Sequence, residues 1–368
     1  MQSNRLTFRE GTQSDKDNIL ELYRQAFKGS DISEKDPRLW DYQFQKNPQG
    51  KGLIGLALSG GTIVGHYAIL PATYLDENGR LIKYGLVIDV MVHPDYRKKG
   101  VFVDLGRFCL RTALEQQGIK HAIGFNFTAT ALRAVLPGHL KVGWRPHIKL
   151  YVYVLPLNFA KIIGYRFPKL NPLSGILGSS AALCFNALSK IPRLFPSRFE
   201  TSFRDLTVSV QDENLDFTQS DIELYSAFTQ NRYRLHKTID FLNWRYNRHP
   251  TANYSLVRIL DGKGETAAVA VFRISDLKLV KTGVIVDWWS KQGVEFQLFS
   301  VLIERLKQRK SDMIVLLDEK ESAVSAVRMK LGFVNSKEYY QSIFYSAENQ
   351  PGDLPKNPRL NFADFDVF

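Results

Sequence analysis

Cysteine is scarce: the 368 residues hold only Cys109 and Cys184, which excludes a disulfide framework and makes a reducing compartment the default. No Cys/His cluster has zinc spacing, so no metal is expected. The opening stretch, Met1 to Glu10, carries no apolar segment, and secretion is not expected. Long apolar runs are missing too; the run near Leu177–Ile191 is too short and too interrupted by Ser and Asn to span a bilayer. Acids are nearly absent between Lys141 and Arg204, where ten Lys or Arg face the single Glu200. That segment carries +9 of the chain's net +12, a charge suited to an anionic membrane surface or a polyanion, or simply to the surroundings of an anionic ligand. No nucleic-acid-binding motif accompanies it, so nucleic acid is not expected as a partner.

What is present is a strand, a basic turn and a helix in succession. Gly85-Leu-Val-Ile-Asp-Val-Met-Val92 is an apolar, β-branched run broken by Asp89, the pattern of a buried strand. His93-Pro-Asp-Tyr-Arg-Lys-Lys-Gly100 follows, with Pro94 to end the strand and Gly100 to permit tight backbone geometry. From Val101 to Gln117, Phe102, Leu105, Cys109 and Ala113 fall on one helical stripe, and Gly118 stops the helix. Arg97, Lys98 and Lys99 thus precede the positive end of a helix dipole, an arrangement that an anion would balance. Free amides of the loop and first turn together with these cations suit a phosphate or pyrophosphate. The turn matches neither the Walker nor the Rossmann glycine pattern.

Val90-Met-Val-His-Pro-Asp-Tyr-Arg-Lys-Lys-Gly-Val-Phe102 resembles motif A of the GCN5-related N-acetyltransferases (GNATs), with Phe102 in place of the usual third small residue. The resemblance implies acetyl-CoA as co-substrate, with Val90, Met91 and Val92 pairing with pantetheine. It further implies a pyrophosphate held at Arg97, Lys98, Lys99, Gly100, Val101 and Phe102. Pro137-Gly-His-Leu-Lys-Val-Gly-Trp144 resembles motif B of the same family, and His139 falls where many relatives keep the tyrosine that protonates the departing thiolate. An ordinary imidazole could serve as that acid; a turn residue is the plainer alternative. Asp89 is the candidate base, against a structural role; Asn126 either binds pantetheine or acceptor, or caps the following helix. In some tandem members the terminal carboxylate enters the site, which makes Phe368 a further catalytic candidate.

The second half echoes the first in order. Trp244-Arg-Tyr-Asn-Arg-His-Pro250 answers Tyr42-Gln-Phe-Gln-Lys-Asn-Pro48, Gly283-Val-Ile-Val-Asp-Trp-Trp-Ser290 answers residues 85–92, and Lys330-Leu-Gly-Phe333 answers Lys141-Val-Gly-Trp144. The copies differ where the anion would sit: Asp89 and Phe102 stand 13 positions apart, Asp287 and Phe296 only nine. Glu295 puts a carboxylate near the second helix start, and Arg328 replaces His139.

The expected architecture is α/β with a mixed sheet, in two tandem GNAT-like domains, the second degenerate. The catalytic domain is 1–155, a basic proline-containing segment with an apolar-striped helix is 156–205, the degenerate domain is 206–346, and 347–368 is a tail that docks through Phe362, Phe365 and Phe368. The striped helix suits packing between domains better than lying on a membrane. The expected activity is transfer of an acetyl group from acetyl-CoA to a small-molecule primary amine in the cytoplasm. The overall arrangement resembles tandem Eis-type acetyltransferases, and bacterial enzymes that act on amino sugars in surface-polysaccharide metabolism. A Fem-type aminoacyltransferase is the rival enzyme, although it has no need of a pyrophosphate seat; an acyl-CoA-binding scaffold is the non-enzymatic rival.

Overall fold

The computed structural model describes residues 6–29, 34–126, 133, 135–166, 179–180, 205–277, 280–322, 324–348 and 354–365. The first half runs β1 (Thr7–Glu10), α1 (Lys16–Ala26), α2 (Pro37–Phe44), β2 (Leu53–Ser59), β3 (Thr62–Leu75), β4 (Leu81–Val92), α3 (Val101–Gln117), β5 (His121–Asn126), α4 (Leu136–Val142) and β6 (Arg145–Pro156). A short α5 (Phe159–Arg166) follows. The second half runs β7 (Thr207–Gln211), α6 (Gln219–Phe228), β8 (Arg234–Leu235), α7 (Ile239–Leu242), β9 (Tyr254–Leu260), β10 (Thr266–Leu277), β11 (Val280–Ser290), α8 (Glu295–Gln308), β12 (Met313–Asp318), α9 (Ser325–Lys330) and β13 (Val334–Ser346).

Among the described residues these strands form one continuous sheet in the order β1-β2-β3-β4-β5-β13-β6-β12-β11-β10-β9-β7, with β8 paired to β3 off this path. The order is a palindrome of two equivalent sets. β4 runs parallel to β5 as β11 does to β12, and the hairpins β2–β3 and β9–β10 match. Closing strands are exchanged: β6 pairs with β12, β13 pairs with β5, and the two lie antiparallel to each other at the centre. A boundary at 155 therefore separates β6 from the half whose sheet it completes. The tandem of 1–155 and 206–346 is a division of sequence across which the sheet is shared.

Alternation and helix stripes explain the layers. Along α3, Val101, Leu105, Cys109, Leu110 and Ala113 are buried over β2 and β3. Gly55 permits the approach, since a Cβ there would collide with Cys109 Sγ. Helices α3 and α4 cover one core on this side of the sheet, and α8 and α9 cover another. The opposite side has one core common to both halves, in which Trp40 and Phe44 of α2 meet Phe241 of α7, Trp244, and Phe362 and Phe365 of the tail. Tyr42 and Trp244, equivalent by sequence, stack on each other at 4.6 Å and 10°, and the Tyr42 hydroxyl donates to the Trp244 carbonyl at 3.1 Å. Equivalent residues touching in this way mark the local two-fold relation between the halves.

Of the three tail phenylalanines, Phe362 and Phe365 are buried, and Phe365 stacks on Phe125 at 4.0 Å. Phe368 lies outside the described residues, as do most of the basic 156–205 segment and its Leu177–Ile191 stripe. No described helix is long and apolar enough to cross a membrane.

Candidate active site

The site begins where two parallel strands part. β4 keeps its pairing with β3 as far as Gly65↔Val92, but its pairing with β5 ends at Leu86↔Ile123. Backbone groups of residues 87–92 on the β5 side are thereby left for another partner. Val90, Met91 and Val92 lie on this open edge. Asn126, the last residue of β5, is buried, and its side-chain amide nitrogen has no hydrogen-bond partner among the described residues.

A bulge re-aims β4 in the middle of this edge. Its register against β3 slips between His66 and Ala68, and Asp89 takes φ +49°, a left-handed conformation unusual outside glycine. The His66 ring holds the bulge, with Nδ1 2.6 Å from the Asp89 carbonyl oxygen. The Asp89 carboxylate is ion-paired to Lys35, whose ammonium also donates to Gln43 Oε1 at 2.7 Å and lies 5.5 Å from the Phe44 ring centre. Asp89 is thus a paired carboxylate rather than the free base expected from its place in the strand.

The basic turn has the expected shape with one change of role. Lys98 has φ +63°, and Gly100, at φ +83°, caps α3 without a side-chain bond. Gly100 O accepts from Val103 N at 3.0 Å and Asp104 N at 3.1 Å. The amides of Lys98, Lys99, Gly100, Val101 and Phe102 have no protein partner among the described residues and sit at the positive end of a 17-residue helix. Lys98 and Lys99 are exposed beside them. Arg97 is turned away from that group: its guanidinium donates to the Val92 carbonyl at 3.2 Å and the Ala26 carbonyl at 2.7 Å, tying the turn to β4 and α1. Its role is to hold the loop, a correction to the anion contact expected of it.

His139 departs from expectation more sharply. It is 4% exposed, with Phe102 at 4.9 Å, Trp144 at 5.2 Å and Tyr67 at 6.2 Å between ring centres. Burial in this aromatic cage pushes its pKa down to about 3, so the ring is neutral near pH 7 and no imidazolium is present to act as an acid. Phe102, which departs from the small residue of the family motif, supplies one wall of that cage.

The second half shows the same parts closed off. Asp287 is again paired with a lysine, Lys237 at 2.5 Å, and Lys35 and Lys237 stand 202 positions apart, as do Tyr42 and Trp244. Here the carboxylate also accepts from the Tyr246 hydroxyl at 2.9 Å, Asn361 Nδ2 at 2.7 Å and the Trp288 amide at 3.0 Å, and it is 1% exposed. Arg328, at the position of His139, makes a buried ion pair with Asp318 at 2.6 Å and lies 3.7 Å over the Tyr153 ring. Glu295 accepts from the Gly293 amide at 2.8 Å, so a side chain occupies the group that an anion would take. Two residues that sequence inspection missed complete the contrast. Lys35 was legible only through the 202-residue offset, and His66 is a lone histidine in an otherwise apolar strand.

The tail closes the seam between the halves. Arg359 N donates to the Tyr233 carbonyl at 2.6 Å, and Asn361 and Asp364 form a reciprocal capping pair. A small cavity of about 30 Å³ lies there, lined by Leu86, Leu70, Asn47, Trp244 and Asp364 among others. Burial raises the Asp364 pKa to about 6 against the pull of Lys237.

Residues 7–134 match the family model described as an acetyltransferase (GNAT) domain. No curated protein matches the chain in sequence. A probable N-acyltransferase of Enterococcus faecalis V583 superposes with a TM-score of 0.62 at 10% identity, over 94% of this chain and 74% of that one. A GCN5-related N-acetyltransferase of Anabaena variabilis ATCC 29413 does so with 0.59 at 14% identity, over 92% and 72%. The N-myristoyltransferase of Saccharomyces cerevisiae, solved with myristoyl-CoA, gives 0.59 at 10% identity over 94% and 80%. At such identities the likeness is one of fold. Residues 7–134 are thus similar to an acetyltransferase (GNAT) domain, and the fold across both halves is like that of the solved N-acetyltransferase and N-acyltransferase chains.

Proposed function

We propose that the protein is an acyl-CoA-dependent N-acyltransferase whose first half binds the co-substrate and whose second half shapes the acceptor side. The observation that carries this is the continuity of open backbone groups along β4 beyond Leu86 with partnerless amides from Lys98 to Phe102. An extended pantetheine arm suits the first and a pyrophosphate the second. When bound, the thioester supplies an activated acyl carbonyl. The open amides of 90–92 orient and polarise that carbonyl, Lys98 and Lys99 add charge at the pyrophosphate, and the amide nitrogen of Asn126 offers a donor from the facing strand.

Acetyl is the acyl group proposed, and a primary amine the acceptor. An amino sugar of surface-polysaccharide metabolism is the first class to test, supported by the resemblance of the tandem arrangement. A thiol-release assay with acetyl-CoA, longer acyl-CoAs and a panel of amino sugars, aminoglycosides and peptides tests it. Amine-dependent release with acetyl-CoA is expected. Uptake of acetyl-CoA with no release for any amine would favour a binding scaffold, and preference for a long acyl chain would move the donor.

A further inference from the structure

A groove of about 600 Å³ opens at the seam between the halves, on the face of the sheet that α2 and α7 cover. The stacked rings of Tyr42 and Trp244 line it, together with Arg38, Asp41 and Lys46 of the first half and Arg248 of the second. Its size falls in the range of about 300–1,000 Å³ usual for small-molecule sites. Helix α3, which follows the basic turn, packs on the opposite face, so the groove is separate from the seat described above.

The duplication arranges its charges. Lys46 and Arg248 stand 202 positions apart, the offset that also relates Tyr42 to Trp244, so these two cations flank the local two-fold as equivalents. Other positions of the groove share no such likeness: Arg38 answers to Asp240, and Asp41 to Asn243. Arg248 comes at the end of a π-helical turn, Asn243–Asn247, where the first half has the plain helix α2; such wide turns collect at functional sites. Two like charges turned to one groove repel each other unless an anion lies between them.

The nearby acids do not supply that anion. Asp41 is held by Lys16 at 2.8 Å and by Gln13 at 3.3 Å, and Asp36 pairs with Arg38 at 2.7 Å. Asp240 meets Arg248 at 3.4 Å, with both side chains mostly in solvent. Lys46 is exposed and has no ion-pair partner among the described residues; Asp41 acts on it only at longer range.

We infer that this groove binds a phosphomonoester, with its phosphate dianion between Lys46 and Arg248 and its organic body against Tyr42 and Trp244. Cations on two sides match a tetrahedral group that carries close to two negative charges near pH 7 and offers three oxygens; a carboxylate carries one charge.

Calorimetric titration tests this on the full chain carrying Lys98→Glu and Lys99→Glu, which removes the cations of the turn as competitors. Glucose 6-phosphate, inorganic phosphate and glucose are the probes. One site per chain is expected for glucose 6-phosphate, about tenfold or more tighter than for inorganic phosphate, and no uptake of glucose. Lys46→Gln and Arg248→Gln, both at exposed positions, should each weaken the ester by about fivefold or more and leave the thermal midpoint in place. No uptake of glucose 6-phosphate, equal affinity for inorganic phosphate or glucose, or binding indifferent to both substitutions overturns the inference. None of these results touches the acyltransferase reading, which acetyl-CoA uptake and amine-dependent thiol release by the wild-type chain decide separately.

Discussion

The two halves of the sheet carry the same skeleton to opposite ends. In the first, Asp89 meets Lys35 as its one partner among the described residues, and the helix-start amides are free. In the second, Asp287 is saturated by Lys237, Tyr246, Asn361 and Trp288, and Glu295 fills the shortened turn. Side chains of the chain itself thus satisfy in the second half what the first leaves for a ligand. The shared Lys–Asp pair belongs to the architecture, and on the function proposed above the differences around it carry the chemistry.

The largest test asks whether the halves can be compared as separate bodies at all. Residues 1–166 expressed alone lack β13 and β12, leaving β6 with no strand partner and β5 with β4 alone. No cooperative thermal transition is expected; a sharp one would mean that β6 can return to β5 and that the exchange is dispensable. Next, Asp287→Ala strands a buried Lys237 and should cost about 3–5 kcal/mol in denaturant unfolding. Asp89→Ala also strands a nearly buried lysine, but Lys35 keeps the Gln43 side-chain carbonyl, and the cost should be smaller than for Asp287→Ala. Equal losses would erase the distinction between a sealed and an open pair.

The seam has a pH dependence of its own. Asp364 has a folded-state pKa raised to about 6, so the stability it contributes is complete below about pH 4 and lost as pH rises through 6. Asp364→Asn, which stays neutral, should therefore stabilise the protein by about 2–3 kcal/mol at pH 8 and by nothing measurable at pH 4. A variant that destabilises at pH 8 would show that the ionised carboxylate is wanted there. Smallest is the effect of His139→Phe: with the ring already neutral, the pH profile of kcat should keep its shape between pH 5.5 and 8.5. Loss of an ionisation near 6.5 would restore His139 as an acid.

The strands, the basic turn and the duplication were legible because each is a local pattern. Apolar alternation marks residues 85–92 and 283–290, and Gly100 with its basic neighbours marks a turn before a helix. Glu295 could be read as an anion substitute because the helix dipole acts within one turn. Strand exchange was not legible: alternation tells a strand which face to bury but not which edge to join, so β6 and β13 read the same wherever they pair. Arg97 and His139 misled because residue type gives a charge or a pKa only in water. Two backbone carbonyls claim the guanidinium, and burial among three aromatic rings keeps the imidazole neutral.

The central claim, that one half alone keeps a seat for the co-substrate, is tested most directly by calorimetric titration of the full chain with acetyl-CoA. One site per chain is predicted, weakened at least tenfold by Lys98→Glu together with Lys99→Glu and untouched by Lys291→Glu in the second turn. Two sites, no uptake, or a single site that follows Lys291 instead would contradict it.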